Sequence, residues 1–166
     1  MDRHHLGVHL RPLRRGDEGR LVSFFQSHTP DTIYERYGYH LCTMSQEQAA
    51  GLVGVDQDRD CALGLFGPAA DGEILHAVGR YCLGPDGKTA EVAFVVRESM
   101  RHLGMATTLL RELIRTARAR RLHALWALVS STNSEMTSLL RGHGFAFSPP
   151  SAAHSVRGTL ILDRDP

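Results

Sequence analysis

The sequence has almost no lysine: Lys88 is the only one, so nearly all of its positive charge is arginine. Nineteen basic residues against 18 acidic ones give a formal net charge of +1, no global basic field, and an argument against a general nucleic-acid binder. No run approaches the roughly 18 consecutive apolar residues of a membrane span. The first 25 residues also lack an apolar core followed by a cleavage site. No membrane partner is expected, and a cytoplasmic location is. Cysteine is sparse and odd in number, with Cys42, Cys61 and Cys82 in no CxxC pair or zinc spacing, so core thiols in a reducing compartment are expected. Ten histidines include no HExxH pair, and His4 and His5 fall at the terminus, so no metal site is expected. Neither GxxxxGK[ST] nor an early GxGxxG is present, which leaves a P-loop or a dinucleotide site without support.

What is present suits a soluble globular chain, with 42% hydrophobic and 22% charged residues. There is no internal repeat, low-complexity tract or linker, and 166 residues suffice for one domain spanning 1–166, with residues 1–7 a flexible N-terminus. VHLRPL predicts a short strand, and Asp17 caps a helix whose Leu21, Val22, Phe24 and Phe25 share one side. HTPDTIYERYG predicts a second short helix, with Pro30 in its first turn and Gly38 near its end. SQEQAAGL predicts a third, with Ser45 and Gln48 at capping-box spacing.

From Cys61 the period changes. CALGLF, EILHAVGRYCL and KTAEVAFVV read as three strands joined by hairpins, with Pro85-Asp86-Gly87 the clearest turn. Met105, Leu109, Leu110, Leu113, Ile114 and Ala117 then form one apolar helical stripe, and Arg118, Arg120 and Arg121 crowd the last turn, where the carbonyl end of the helix favours cations. HALWALVS reads as a strand buried on both sides, with Trp126 in the core. NSEMTSLLRGHGF reads as a helix capped by Asn133 and stopped at Gly144, and the tail gives two short strands. Strand, helix and strand in succession make a crossover, so TAEVAFVV and HALWALV should run parallel in one sheet.

RHLGMA, at the head of the arginine-rich helix, admits two readings. It is either a plain helix entrance or a phosphate site, in which small residues expose first-turn amides to an anion and Arg101 adds a charge-assisted contact. On the six residues alone the plain entrance is favoured, because many helices begin with a glycine and a nearby arginine.

The wider context adds a resemblance. Residues 90–145 resemble the core of the Gcn5-related N-acetyltransferase (GNAT) superfamily. A strand leads into an RxxGxA-type loop, here Arg101, Gly104 and Ala106, and an NxxMxxLL helix with a GF pair follows, here Asn133, Met136, Leu139, Leu140, Gly144 and Phe145. Earlier segments, most specifically Asp58, Arg59, Ala62, Leu63 and the AEVAFVV strand, extend the resemblance from Val8 to Phe147. They point towards the catalytic domain of the bacterial Pat-type protein lysine acetyltransferases that modify acyl-CoA synthetases. The synthetase-like domain and the cyclic-nucleotide module that some of those enzymes carry are not in this sequence. The resemblance implies an α/β fold with a mixed sheet of six or seven strands, about four helices and a V-shaped cofactor cleft.

It also implies acetyl-CoA as co-substrate and a primary amine as acceptor, a protein lysine before a small molecule, with an acyl-CoA synthetase as a candidate protein partner. The pyrophosphate would rest on the loop of Arg101, His102, Leu103, Gly104, Met105, Ala106 and Thr107. The pantetheine would run beside Phe94, Val95 and Val96, a backbone amide next to Val95 would polarise the thioester carbonyl, and Asn133 would contact the pantetheine or only cap its helix. A lysine amine, with a pKa near 10.4, arrives protonated and needs a base; the resemblance offers Glu91, whose partial burial would raise its carboxyl towards the working range. Many members protonate the leaving thiolate with a tyrosine on the second helix; the matching residue here is Leu140. Acetylation of a polyamine, aminoglycoside or amino acid is the alternative that an acidic acceptor cleft would favour, and a catalytically silent acyl-CoA-binding module is a third. Monomer and homodimer both remain open.

Overall fold

The change from helical to alternating periodicity at Cys61 marks the start of the sheet's hairpin core. Strands β1 (His9–Pro12), β2 (Cys61–Ala69), β3 (Gly72–Leu83), β4 (Thr89–Val96), β5 (Ala124–Ser130), β6 (Ala146–Phe147) and β7 (Ser155–Ile161) form one seven-stranded mixed sheet in the order β1-β2-β3-β4-β5-β7-β6. This computed structural model describes residues 7–29, 46–54, 56–70, 72–149 and 154–163. Within them lie helices α1 (Glu18–Gln26), α2 (Gln46–Val53), α3 (Met105–Ala119) and α4 (Ser134–Gly142). The helix predicted around Pro30 and Gly38, the cap Ser45, Cys42 and the first six residues fall outside the described residues.

β2, β3 and β4 pair antiparallel as hairpins. The turn between β3 and β4 is held by Asp86, whose carboxylate accepts the Lys88 and Thr89 amides at 2.9 and 3.0 Å. Those bonds also hold its carboxyl below the ordinary aspartate value. β4 and β5 are parallel, and α3 is the crossover between them. Every residue of the predicted apolar stripe, from Met105 to Ala117, is buried in the core between α3 and one sheet face. α3 lies close over β3 because position 79 is glycine: a Cβ there would sit 3.0 Å from Leu109 Cβ.

The opposite face over β2 to β4 packs a second core. Leu21, Phe24 and Phe25 of α1 and Ala49 and Val53 of α2 meet Phe66, Leu75, Val78 and Val95. At its edge Asp17 departs from its predicted role. It stands at the N-cap position of α1, yet its side chain caps nothing. Almost fully buried, it accepts two hydrogen bonds from Arg11 at 2.8 and 2.9 Å and one from the Arg14 amide. Burial alone would push this carboxyl up, but the donors and the Arg11 charge together hold it below its ordinary value. Arg11 also reaches Glu73 on β3 and lies 3.7 Å over the Phe66 ring, so one guanidinium ties β1, α1, β2 and β3 together.

Arg120 departs from expectation too. It does more than complement the helix end: its guanidinium donates to the Tyr81 hydroxyl and the Asp60 carbonyl, both at 2.7 Å, and to the Gln57 carbonyl, tying the end of α3 to the turn before β2. That turn holds Asp58 and Arg59 and passes to the buried Ala62, whose amide donates to Gln57.

Candidate active site

β4 and β5 are in register only at Thr89–Ala124, Ala90–Leu125 and Glu91–Trp126. Beyond that point each strand stays paired on its outer side, β4 to β3 as far as Val96 and β5 to β7 as far as Ser130, while their facing edges separate. A parallel pair that splits in mid-sheet leaves backbone donors and acceptors without a strand partner on the facing edges, a ready template for an extended chain. Here the split opens a cleft of about 960 Å³.

One wall is β4 from Glu91 to Val96, followed by a short 3₁₀ turn, Glu98–Met100, and the loop into α3. Of the candidate residues, Glu91, Phe94, Val95, Val96, Arg101, His102, Gly104, Met105, Ala106, Thr107 and Asn133 all line the cleft; Leu103 does not. The loop bends sharply, with His102 at φ 63° and Gly104 at φ 79°. Left-handed backbone costs a non-glycine residue about 1–2 kcal/mol, and such strain concentrates at ligand clamps. At Gly104 the constraint is the backbone, since a Cβ there meets no atom within 4 Å and would project into open space. The 15-residue α3 begins here with no capping side chain and no acidic residue in its first turn, so its positive dipole end faces the cleft unopposed from within the helix.

Of the other wall the sequence points only to Asn133. That wall comprises Leu128, Val129 and Ser130 of β5, the turn at Thr132, and the head of α4 at Ser134, Glu135, Met136 and Leu139. HALWALVS gave no signal of it, because the residues of both parities are apolar. Leu125, Ala127 and Val129 are buried against α3, whereas Leu128 is 56% exposed and Trp126 is half-buried with the Arg157 guanidinium 4.1 Å over its ring. The expectation of a strand buried on both sides, with Trp126 in the core, is therefore corrected: among the described residues no helix packs on that face of β5.

Glu91 sits at the fork, the last β4 residue in register with β5. It is exposed, so the partial burial expected of it is not found. Its position is set by the strand, with Ala90 and Val92 buried on the opposite face. Asn133 is a cap, its side-chain oxygen accepting the Met136 amide at 3.1 Å. Leu140 is fully buried, and among the described lining residues there is neither a tyrosine nor a cysteine. His102 and Glu135 face each other across the mouth at 3.9 Å, both side chains largely exposed.

Residues 21–145, from within α1 to just beyond α4, match the model of the acetyltransferase (GNAT) family. The chain belongs to that family. As a GNAT enzyme it is an acyl-CoA-dependent N-acetyltransferase with acetyl-CoA as co-substrate. Solved structures repeat the fold over nearly the whole length. The GNAT domain of S. lividans PAT is 24% identical, with a TM-score of 0.82 over 93% of this chain and 90% of that one. yncA from Salmonella typhimurium, solved with its cofactor acetyl-CoA, is 16% identical, with a TM-score of 0.76 and 96% of each chain covered. Spermidine N-acetyltransferase from Vibrio cholerae, solved with CoA and spermine, is 14% identical, with a TM-score of 0.73 over 94% and 96%.

The cleft suits the co-substrate on its own geometry: an uncapped helix end beyond a glycine open to solvent, continuous with a free strand edge, can take a pyrophosphate and an amide-bearing arm in that order.

Proposed function

We propose that the enzyme transfers the acetyl group of acetyl-CoA to the ε-amine of a protein lysine, with Glu91 as general base. The observation that carries this reading is the position of Glu91 at the fork between β4 and β5. That is where an arm laid along the free edge of β4 ends, and where an exposed carboxylate can meet an incoming ammonium. Acetyl-CoA supplies an acyl group activated as its thioester; the remaining tasks fall to the chain. The amides of the Arg101–Thr107 loop and the head of α3 hold the pyrophosphate, with Arg101 adding charge, and the edge at Phe94, Val95 and Val96 orients the arm. An amide next to Val95 stands near the acyl carbonyl, where a fixed donor favours developing negative charge. Glu91 removes the ammonium proton and frees the nitrogen lone pair. Binding both reactants in one cleft makes the transfer effectively unimolecular, which removes several kcal/mol of barrier, up to about 7–11 in well-oriented cases. With Leu140 buried and no tyrosine or cysteine among the described lining residues, solvent is the proton source we infer for the leaving sulfur.

The lining favours this acceptor over a polyamine. A polycation needs several carboxylates, whereas the described lining offers only Glu91 and Glu135 against Arg101 and His102. The resemblance to Pat-type enzymes makes an acyl-CoA synthetase the first protein to try, and a cytoplasmic location follows from that partner.

The test is CoA release from acetyl-CoA with a panel of acyl-CoA synthetases and small amines, for the native chain and Glu91→Gln. The variant should bind acetyl-CoA normally and lose about 10²- to 10⁴-fold in rate. A full rate at every pH would show that Glu91 is not the base.

A further inference from the structure

Strand register places a row of side chains on one sheet face across four strands. Cys82 pairs with Glu91, Glu91 with Trp126 and Trp126 with Thr159. The neighbouring positions on the same face are Arg80, opposite Ala93, and Arg157, opposite Leu128. This is the face that α1 and α2 cover farther along, at Val78 and Val95. Among the described residues no helix covers it around Glu91.

This part of the face has a definite chemistry. Trp126 and Leu128 give an apolar floor, Ile161 at its edge is 38% exposed, and Glu91 is the one carboxylate on this part of the face among the described residues. Two arginines flank it. Arg157 is exposed and stacks 4.1 Å over the Trp126 ring, and Arg80 turns its guanidinium to the Cys82 sulfur at 3.4 Å. Neither is paired with a carboxylate among the described residues. The remaining arginines of this face, Arg11 and Arg97, lie under α1, Arg11 with Asp17 and Glu73, and Arg97 donating to the Leu75 carbonyl at 2.9 Å with its guanidinium 5.6 Å from the Phe24 ring.

Taking Glu91 as the base, and so resting on the function proposed above, we propose that the acceptor lysine is carried on an acidic peptide segment, with Asp or Glu side chains beside the lysine docking on Arg157 and Arg80. The lysine reaches Glu91 between them. Strands about 4.8 Å apart, with Arg157 two residues along from the Thr159 that lies level with Glu91, put the two positions roughly 12 Å apart. That is within reach of a residue three or four positions from the lysine on an extended chain rising about 3.3 Å per residue. An arginine held over an aromatic ring keeps its hydrogen-bonding edge directed outwards, which suits carboxylate recognition. The same two charges repel polyamines and lysines set among arginines, so the patch selects by attraction and by exclusion.

The experiment uses the intact chain, acetyl-CoA and three peptides of equal length, each with one central lysine flanked by aspartates, serines or arginines, with spermidine as the polycation. kcat/KM should fall in the order acidic, neutral, basic. Acidic should exceed neutral by about tenfold at low salt, as two exposed ion pairs of a few-fold each would give, mostly through KM, and 0.5 M salt should compress the spread. Arg157→Glu should reverse the ranking of acidic and basic peptides while leaving acetyl-CoA affinity unchanged, and Arg157→Gln should flatten it. Equal rates for all three native-enzyme peptides, or spermidine as the best acceptor, would overturn the inference while leaving the acetyltransferase reading intact. Bound acetyl-CoA with no peptide or synthetase modified would overturn both. The native ranking and its salt dependence decide the matter even where a variant folds poorly.

Discussion

Two regions of the sheet, its β1 edge and the central fork between β4 and β5, differ in how they treat a charged group. Where β1 and β3 meet α1, Asp17 is buried and satisfied by Arg11, the Arg14 amide and a third contact from Arg20 at 3.2 Å. Where β4 parts from β5, Glu91 is exposed at the fork of the cleft. The first carboxylate is spent on holding elements together, and the second is kept available. The difference follows from coverage: α1 closes the first region over a packed core, while among the described residues no helix covers the sheet face around Glu91.

Asp17→Ala should break the locked region with the largest effect on stability. It removes the main partner of Arg11, whose side chain is only 14% exposed, and breaking such a buried pair costs about 3–5 kcal/mol. Acetyl-CoA affinity measured below the melting transition should not change, because the cleft shares no residue with this network. The pH dependence has a definite sign. The folded pKa of Asp17 lies below its unfolded value, so the stability it contributes is fully present above about pH 4 and is lost as pH falls through the folded value. Denaturant melts between pH 3 and 6 should show this acid loss in the native chain and a smaller one in Asp17→Ala.

Gly104→Glu should break the open region and leave the other intact. A side chain there has free space, so the fold should survive with only the modest strain of a left-handed residue, about 1–2 kcal/mol. Its carboxylate, however, would stand in front of the first-turn amides of α3. Acetyl-CoA affinity by calorimetry should drop at least a hundredfold, about 2.7 kcal/mol. An unchanged affinity would remove the loop from the cofactor site.

The contrast between the two regions also explains how much could be read from the chain itself. The stripe from Met105 to Ala117, the three hairpin strands and the parallel crossover were legible because each is a local period with strong turn signals. The GNAT core was legible because Arg101, Gly104, Ala106 and Asn133 keep their spacing. What escaped is non-local. Asp17 has the right type and position for a cap, and only the packing of β1 against the head of α1 shows that Arg11 claims it. Arg120 looks like a helix-end cation until the turn at Gln57 to Asp60 comes within reach. The exposure of Leu128 depends on which face of β5 a helix covers, and the apolar residues on both parities of β5 do not announce that.

The smallest effect concerns the mouth of the cleft, where Glu135 faces His102 at 3.9 Å. Glu135 occupies the first turn of α4, where the helix end favours it, but it also lines the cleft into which the phosphates of CoA would enter. Both partners are about three-quarters exposed, so their contact adds little to stability and Glu135→Gln should melt with the native chain. Removing one exposed negative charge near an incoming anion should instead raise acetyl-CoA affinity, by about two- to threefold at 20 mM salt, and this gain should disappear near 0.5 M as screening shortens the reach of the charge. Equal affinities at both salt concentrations would mean that the phosphates pass on the α3 side of the mouth, out of range of Glu135.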